Sequence, residues 1–456
     1  MSTHHRPRHG GGGTPPATPP APAPRPVGHP IFAQPAPTAD PTTFTVTHPS
    51  DAAAYAEIAK LNAQGLIKPL PFPAPRGGVE PTLTLDQVFG GNPVAIGNIT
   101  SQGQIVFHAL GDCGSARGPT TQNQVTDKLV SDFQDHAIET PQFALLLGDI
   151  IYNFGEAQYY YDQFYDPYRD YSAPVLAVAG NHDGMVSPFA HVATLEAYLR
   201  NFCADTFEVA PEAGALSRTA QIQPGVFFTL EAPFVRILVL YSNMLEDPGV
   251  IQNADIGDSQ IQFLRAALAR VKAENYQGAL LFAHHHPAYT YSATSRHGWS
   301  VQMLADMDAV CTEVGVWPHA VLAGHVHNYQ RFTRTRPDGS HIPYVACGNG
   351  GHNVLPLGRR GQPGPRVPQV LQPAAAGVDQ VTFENYDDIN YGYLRVIADP
   401  KQLRIEYHAA SDGPGVKSPD DAVTIDLATR QTTAYLANDL GHPAEAMAIR
   451  RLRMGA

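Results

Sequence analysis

QIVFHALGDCG (104–114), FALLLGDIIY (143–152), PVLAVAGNHD (174–183), VRILVLYSN (235–243), GALLFAHHHP (278–287) and HAVLAGHVH (319–327) share one pattern. Each is a short apolar run of strand length, and several break directly into Gly, Asp, Asn or His. Between some of them lie stretches with helical spacing: TQNQVTDKLVSDFQDH (121–136), SQIQFLRAALARVKAE (259–274) and VQMLADMDAVCTEVG (301–315). Buried strands alternating with amphipathic helices predict an α/β fold with a largely parallel sheet covered on its faces. Ligands in such sheets sit beyond the carboxyl ends of the strands, where these polar residues fall. Further on, IPYVACGNGG (342–351), YGYLRVIAD (391–399), LRIEYHAA (403–410) and AVTIDL (422–427) read as a second, more antiparallel sheet.

Asp112, Asp149, Asn181, His182, His285, His325 and His327 each follow an apolar run. One face of one sheet is therefore expected to gather carboxylates, a carboxamide and imidazoles. A single Asp in such a place is often a helix cap, and a single His is often a hydrogen-bonded surface residue. Five strand ends of this kind in one chain point instead to metal. Two divalent or trivalent ions need a bridging carboxylate and a mixed oxygen and nitrogen ligand set.

The order GDCG, GDIIY, GNHD, a His-rich strand end and GHVH resembles the calcineurin-like metallophosphoesterase superfamily, over roughly residues 103–353. Most of that superfamily has Asp-x-His as its first motif, whereas here the residues are Asp112-Cys113-Gly114, with Tyr152 three residues after Asp149. That pair of features is similar to the purple acid phosphatase branch, in which the Tyr takes the place of the missing His; GHVHNYQRF (324–332) resembles it too. The resemblance implies a two-sheet β-sandwich flanked by helices. It also implies one metal on Asp112, Asp149, Tyr152 and His327, and a second on Asp149, Asn181, His285 and His325. The ions implied are Fe with a divalent partner, Fe, Zn or Mn. In HHHP, strand alternation turns His284 and His286 away from the side of His285, and the family's ligand His two residues before Pro also selects His285, with His286 the second choice.

The function implied is a dinuclear metal-dependent phosphatase, with metal-activated hydroxide attacking phosphate monoesters. A phosphodiesterase or nucleotide pyrophosphatase of the same superfamily is the enzymatic alternative, and a phospholigand-binding protein with a blocked site is the non-enzymatic one. His182, beside ligand Asn181, is the candidate proton donor to the leaving group, with Asp183 orienting its ring. His297 in SRHG resembles a substrate-pocket histidine of the mammalian-type enzymes and is the second catalytic candidate. Cys113 is read as a small packed side chain rather than a nucleophile, since no base motif accompanies it. The tyrosines of EAQYYYDQFYDPYRDY (156–171) are read as packing, and Arg359 and Arg360 as a solvated loop.

The rest of the chain sets the frame. It has 456 residues, 43% hydrophobic and 16% charged, enough for a large core. A net charge of -12 argues against nucleic-acid or anionic-membrane partners and leaves a small phosphorylated substrate, provided metal inverts the local charge. No apolar run approaches the ~20 residues that span a bilayer, and the start lacks the apolar stretch of a secretory signal, so a soluble, cytoplasmic protein is expected. Four scattered cysteines without a CxxC pair are expected to be thiols. Residues 1–41, rich in Pro and Gly, read as a disordered arm; 42–95 as a wrap with one helix at 51–65; 96–436 as the catalytic domain; and 437–456 as a tail.

Overall fold

The computed structural model describes residues 51–66, 71–115, 118–135, 138–243, 249–291, 297–358, 364–371 and 379–434. The arm at 1–41, the tail at 437–456, and Arg359 and Arg360 lie outside them. The strands are β1 (Thr82–Thr84), β2 (Ile105–Leu110), β3 (Ala144–Leu147), β4 (Val175–Val178), β5 (Phe228–Ala232), β6 (Val235–Val239), β7 (Ala279–Ala283), β8 (Ala320–Ala323), β9 (Tyr329–Thr335), β10 (His341–Cys347), β11 (Gln369–Val370), β12 (Gln380–Asp387), β13 (Gly392–Ala398), β14 (Gln402–Ala409), β15 (Asp421–Asp426) and β16 (Thr432–Ala434).

They form two sheets. One has the order β1-β5-β6-β7-β8-β10-β9-β12-β11 and the other β16-β15-β14-β13-β2-β3-β4. Neighbours β2, β3 and β4 are parallel in one sheet, and β6, β7 and β8 are parallel in the other. The apolar runs that read as one sheet are thus split between two. The antiparallel strands extend both groups: β13 joins β2, while β9 and β10 extend from β8. IPYVACGNGG also differs from expectation. The β9–β10 hairpin folds back so that β10 lies parallel to β8, in the sheet that does not contain YGYLRVIAD.

Side-chain alternation shows how the layers stack. Leu145 and Leu147 of β3 join Phe107, Leu176, Ile237, Leu281, Leu322 and Leu394 in a core between the sheets. Their neighbours Ala144 and Leu146 turn outward and pack with Val125 and Leu129 of the helix Thr120–Ser131 in a second core. Phe282 and Val321 do the same with Phe263, Leu264, Met303 and Met307. Each central strand is buried on both faces, which is why its sequence is apolar without interruption. The result is a two-sheet sandwich flanked by helices, as the sequence reading expects.

The helix at Asp51–Ala63 forms where helical spacing was read. Downstream of it, β1 pairs with β5 and so becomes a sheet edge. Arg76 donates to the carbonyls of Cys203, Ala204 and Gln223, which ties the proline-rich segment to the body. The four cysteines are buried thiols. Among the described residues, no helix is long and apolar enough to cross a membrane.

Candidate metal centre

The carboxyl ends of β2, β3, β4, β7 and β8 meet at one place, so the site is assembled from both sheets rather than from one. Four of the expected ligands leave their strands through left-handed backbone: Asp112 at φ 55°, Asp149 at 53°, His325 at 71° and His327 at 50°. Such angles cost a non-glycine residue on the order of 1–3 kcal/mol and persist where the surroundings impose them. Here they turn side chains sharply out of buried strands toward a common centre. The backbone N–H of His325 donates to Asp112 Oδ2 at 2.6 Å, joining the two strand ends across the sheets.

At the first group, the Tyr152 hydroxyl lies 2.9 Å from Asp112 Oδ1, 3.0 Å from Asp149 Oδ2 and 3.2 Å from His327 Nε2. A phenol has one proton, yet it faces two carboxylates and an imidazole nitrogen. Burial, then the charges of Asp112 and Asp149, hold its pKa well above the usual phenol value. Gly114 shows why the oxygen comes from a tyrosine. A Cβ at 114 would meet the Ile150 carbonyl oxygen at 2.6 Å and Gln163 Oε1 at 2.7 Å, so no imidazole can start there.

At the second group, His285 Nδ1 stands 2.7 Å from the Leu147 carbonyl oxygen, which only an N–H can satisfy. A neutral His285 ring therefore presents a bare Nε2, and Nε2 lies 2.9 Å from Asn181 Oδ1 and 3.3 Å from Asp149 Oδ2. Three acceptor atoms converge where a cation belongs. Burial opposes a charge on the ring, but the Asp149 carboxylate outweighs burial and raises His285 to about 9. Asp149 is buried too, and His285 and His182 hold its carboxyl well below the usual range. Donor atoms of Asp149, His285 and His325 all lie within 4.8 Å of one another. Hard and borderline donors gathered around shared carboxylates fit a divalent or trivalent ion.

His284 turns away, its Nδ1 2.6 Å from the His286 carbonyl oxygen. His286 does not fully follow the expected alternation. The chain has left β7 at Ala283, so the pleat no longer governs it, and its ring centre stays 4.2 Å from that of His325 while Nδ1 meets Ser242 Oγ at 2.6 Å.

His182 and His297 are both at the site. His182 packs 4.4 Å from the Tyr152 ring, its backbone N–H donates to Asp149 Oδ1 at 2.8 Å, and Nδ1 stands 2.7 Å from the Asn153 carbonyl oxygen. Asp183 does not orient that ring. Its carboxylate accepts from the backbone N–H groups of Asp149 (2.9 Å), Ile150 (3.0 Å) and Gly180 (2.7 Å), so it shapes the turn that carries Asp149. Burial and the Asp149 charge push Asp183 up to about 7. His297 stacks on His325 at 4.9 Å and meets His327 edge-on at 5.0 Å. Burial, then His327, depresses it to about 4. Cys113 is buried and its thiol is pushed far up by that burial, in keeping with a packed side chain.

Sequence reading misses three supporting residues. Gln163 accepts from the Tyr152 N–H at 2.8 Å and donates to the Tyr152 carbonyl at 2.5 Å, clamping that residue from within the tyrosine-rich stretch. His352 stacks on the Tyr152 ring at 3.6 Å, and Asn353 hydrogen-bonds His327 Nδ1 through Oδ1. A polar His-Asn pair directly after the Gly-rich end of β10 is the signal that points to the last two.

The family model described as calcineurin-like phosphoesterase matches residues 105–329. Among curated protein sequences, none matches the chain significantly. Similar solved structures include GAP50, titled as the anchor in the inner membrane complex of Plasmodium, at 12% identity and a TM-score of 0.44, covering 72% of this chain and 90% of that one. PhoD is another, at 12% identity and a TM-score of 0.43, covering 76% of this chain and 78% of that one. The matched segment runs from β2 through the start of β9 and contains all seven expected ligands. Residues 105–329 form a calcineurin-like phosphoesterase domain.

Proposed function

We propose that the chain is a phosphomonoesterase of the purple acid phosphatase type that works with two metal ions. Asp112, Asp149, Tyr152 and His327 would hold an Fe ion, and Asp149, Asn181, His285 and His325 a divalent Fe, Zn or Mn ion. The observation that carries this reading is the His285 contact set. Its Nδ1 is committed to the Leu147 carbonyl, so its Nε2 lone pair faces the oxygens of Asn181 and Asp149, an arrangement that a shared cation resolves. When bound, the ions supply Lewis acidity toward phosphate oxygens and an acidified water as nucleophile.

The chain's own residues do the rest. Asp149 uses Oδ2 toward both groups, which suits it to bridge. The Asn153 carbonyl keeps the His182 proton on Nδ1 in the neutral ring, leaving Nε2 as the atom that exchanges a proton with the leaving-group oxygen. His297, stacked on His325, forms a second imidazole wall where a phosphate ester would enter. A small phosphorylated substrate suits a centre whose cations offset the acidic character of the chain.

Elemental analysis with turnover of an aryl phosphate and the matching diester tests this reading. Two ions per chain with preference for the monoester is the expected result. Preference for the diester would assign the phosphodiesterase alternative, and two bound ions without turnover of any phosphoester would mark a binding protein.

A further inference from the structure

At the opposite ends of β7 and β8 from His285 and His325 lies a cavity of about 360 Å³, bordered by Gly278, Gly315 and His319. Lys272, Arg336 and Arg430 line it together with one carboxylate, Asp338. The cations are held mainly by neutral groups. Arg430 donates from Nη1 to the Pro318 carbonyl at 3.0 Å and from Nη2 to the Trp317 carbonyl at 2.8 Å, while its own backbone sits at φ 56° in the turn between β15 and β16. Lys272 Nζ donates to the Val314 carbonyl at 2.7 Å. Carbonyl acceptors position a cation without cancelling its charge.

Arg336 lies over the Trp317 ring at 3.7 Å and meets Asp338 at 3.1 Å, but that carboxylate is 58% exposed and well screened. Arg334, the other cation beside Trp317, is by contrast neutralised by Asp308 at 2.6 Å and Asp379 at 2.5 Å. Burial and then the like charge of Arg336 lower the Arg430 pKa, the signature of cations facing one another across a shared space. A chain with a net charge of -12 that lines one concavity with three cations and a single carboxylate has made a local anion trap.

We propose that this cavity binds a small oxyanion of the phosphate or sulfate class, independently of the metal centre. The guanidinium of Arg430 and the ammonium of Lys272 supply charge-assisted hydrogen bonds to it. Trp317, which shares the cavity wall with Arg336, is the built-in reporter.

The chain has two tryptophans, so Trp299→Phe leaves Trp317 as the sole indole emitter. Sodium sulfate is titrated into that protein at constant ionic strength, balanced with chloride, and indole fluorescence is followed. A saturable change with a Kd of about 1 mM or tighter is expected. Arg430→Gln should weaken it by about tenfold or more, and Lys272→Gln, on the surface, several-fold. No saturable response, or an equal response in the charge variants, overturns the proposal. Should Arg430→Gln fail to fold, Lys272→Gln decides alone.

Discussion

The hydroxyl of Tyr152 stands 2.9 Å from Asp112 Oδ1, joining the turn after β3 to the end of β2 at the one place where Gly114 leaves no room for a histidine. With iron bound, a phenolate there gives a visible charge-transfer band and favours the trivalent state. Tyr152→Phe should bleach iron-loaded protein and weaken the first metal by about 10–100-fold, with melting temperature nearly unchanged. Absorption spectra and iron content check this together. An iron-replete, active protein that shows no band and ignores the substitution would rule out the purple branch. Gly114→His should not rescue the variant, because its Cβ meets the Ile150 carbonyl at 2.6 Å.

The register of HHHP can be read from metal content. His285 is wedged between Asn181 and Asp149, whereas His286 hydrogen-bonds Ser242. His285→Ala should release one of two ions, and His286→Ala should keep both. The reverse order, measured by elemental analysis after gel filtration, would place the ligand one residue later.

His182→Ala should slow esters with poor leaving groups at least about 100-fold while sparing those with good ones, because an activated leaving group departs without protonation. The slope of log kcat against leaving-group pKa should steepen accordingly. A uniform loss across the series would make His182 a phosphate-binding residue instead.

Acid stability should depend on His319, distant in the fold from the metal centre. Its buried Nδ1 accepts the Leu280 N–H at 2.9 Å, and burial, with Arg430 adding to it, depresses its pKa to about 3 against 6.5 unfolded. The unfolded chain therefore binds the proton first. The stabilisation from the neutral ring is complete above pH 6.5 and is lost as pH falls from there toward about 3. The slope is about 1.4 kcal/mol per pH unit. His319→Asn keeps an acceptor near Nδ1 and should flatten that acid limb by about 2 kcal/mol between pH 7 and pH 5 in urea melts. An unchanged limb would show that other groups carry it.

Which residues gather at the candidate centre is legible along the chain. A polar residue at the end of an uninterrupted apolar run must leave the core at a strand terminus, and parallel strands bring their carboxyl termini to one side. Asp112, Asp149, Asn181, His285, His325 and His327 are all such residues, and the structure gathers every one of them. Tyr152 is singled out only by the resemblance to the purple acid phosphatase branch, and the structure places its hydroxyl beside Asp112, Asp149 and His327.

Packing in three dimensions sets partners rather than elements. Apolar runs buried on both faces carry no mark of which sheet they join, so the division of β2–β4 from β6–β8 had to come from the fold. The same limit applies to Asp183, whose carboxylate serves three backbone N–H groups rather than the neighbouring imidazole. It applies equally to Gln163, eleven residues from Tyr152 yet bound to both its backbone groups, and to Asn353 beside His327. Strand periodicity and turn chemistry are local and can be read along the chain. Hydrogen bonds between distant residues, and the left-handed turns at Asp112, Asp149, His325 and His327, are imposed by packing that exists only once both sheets have closed on their common core.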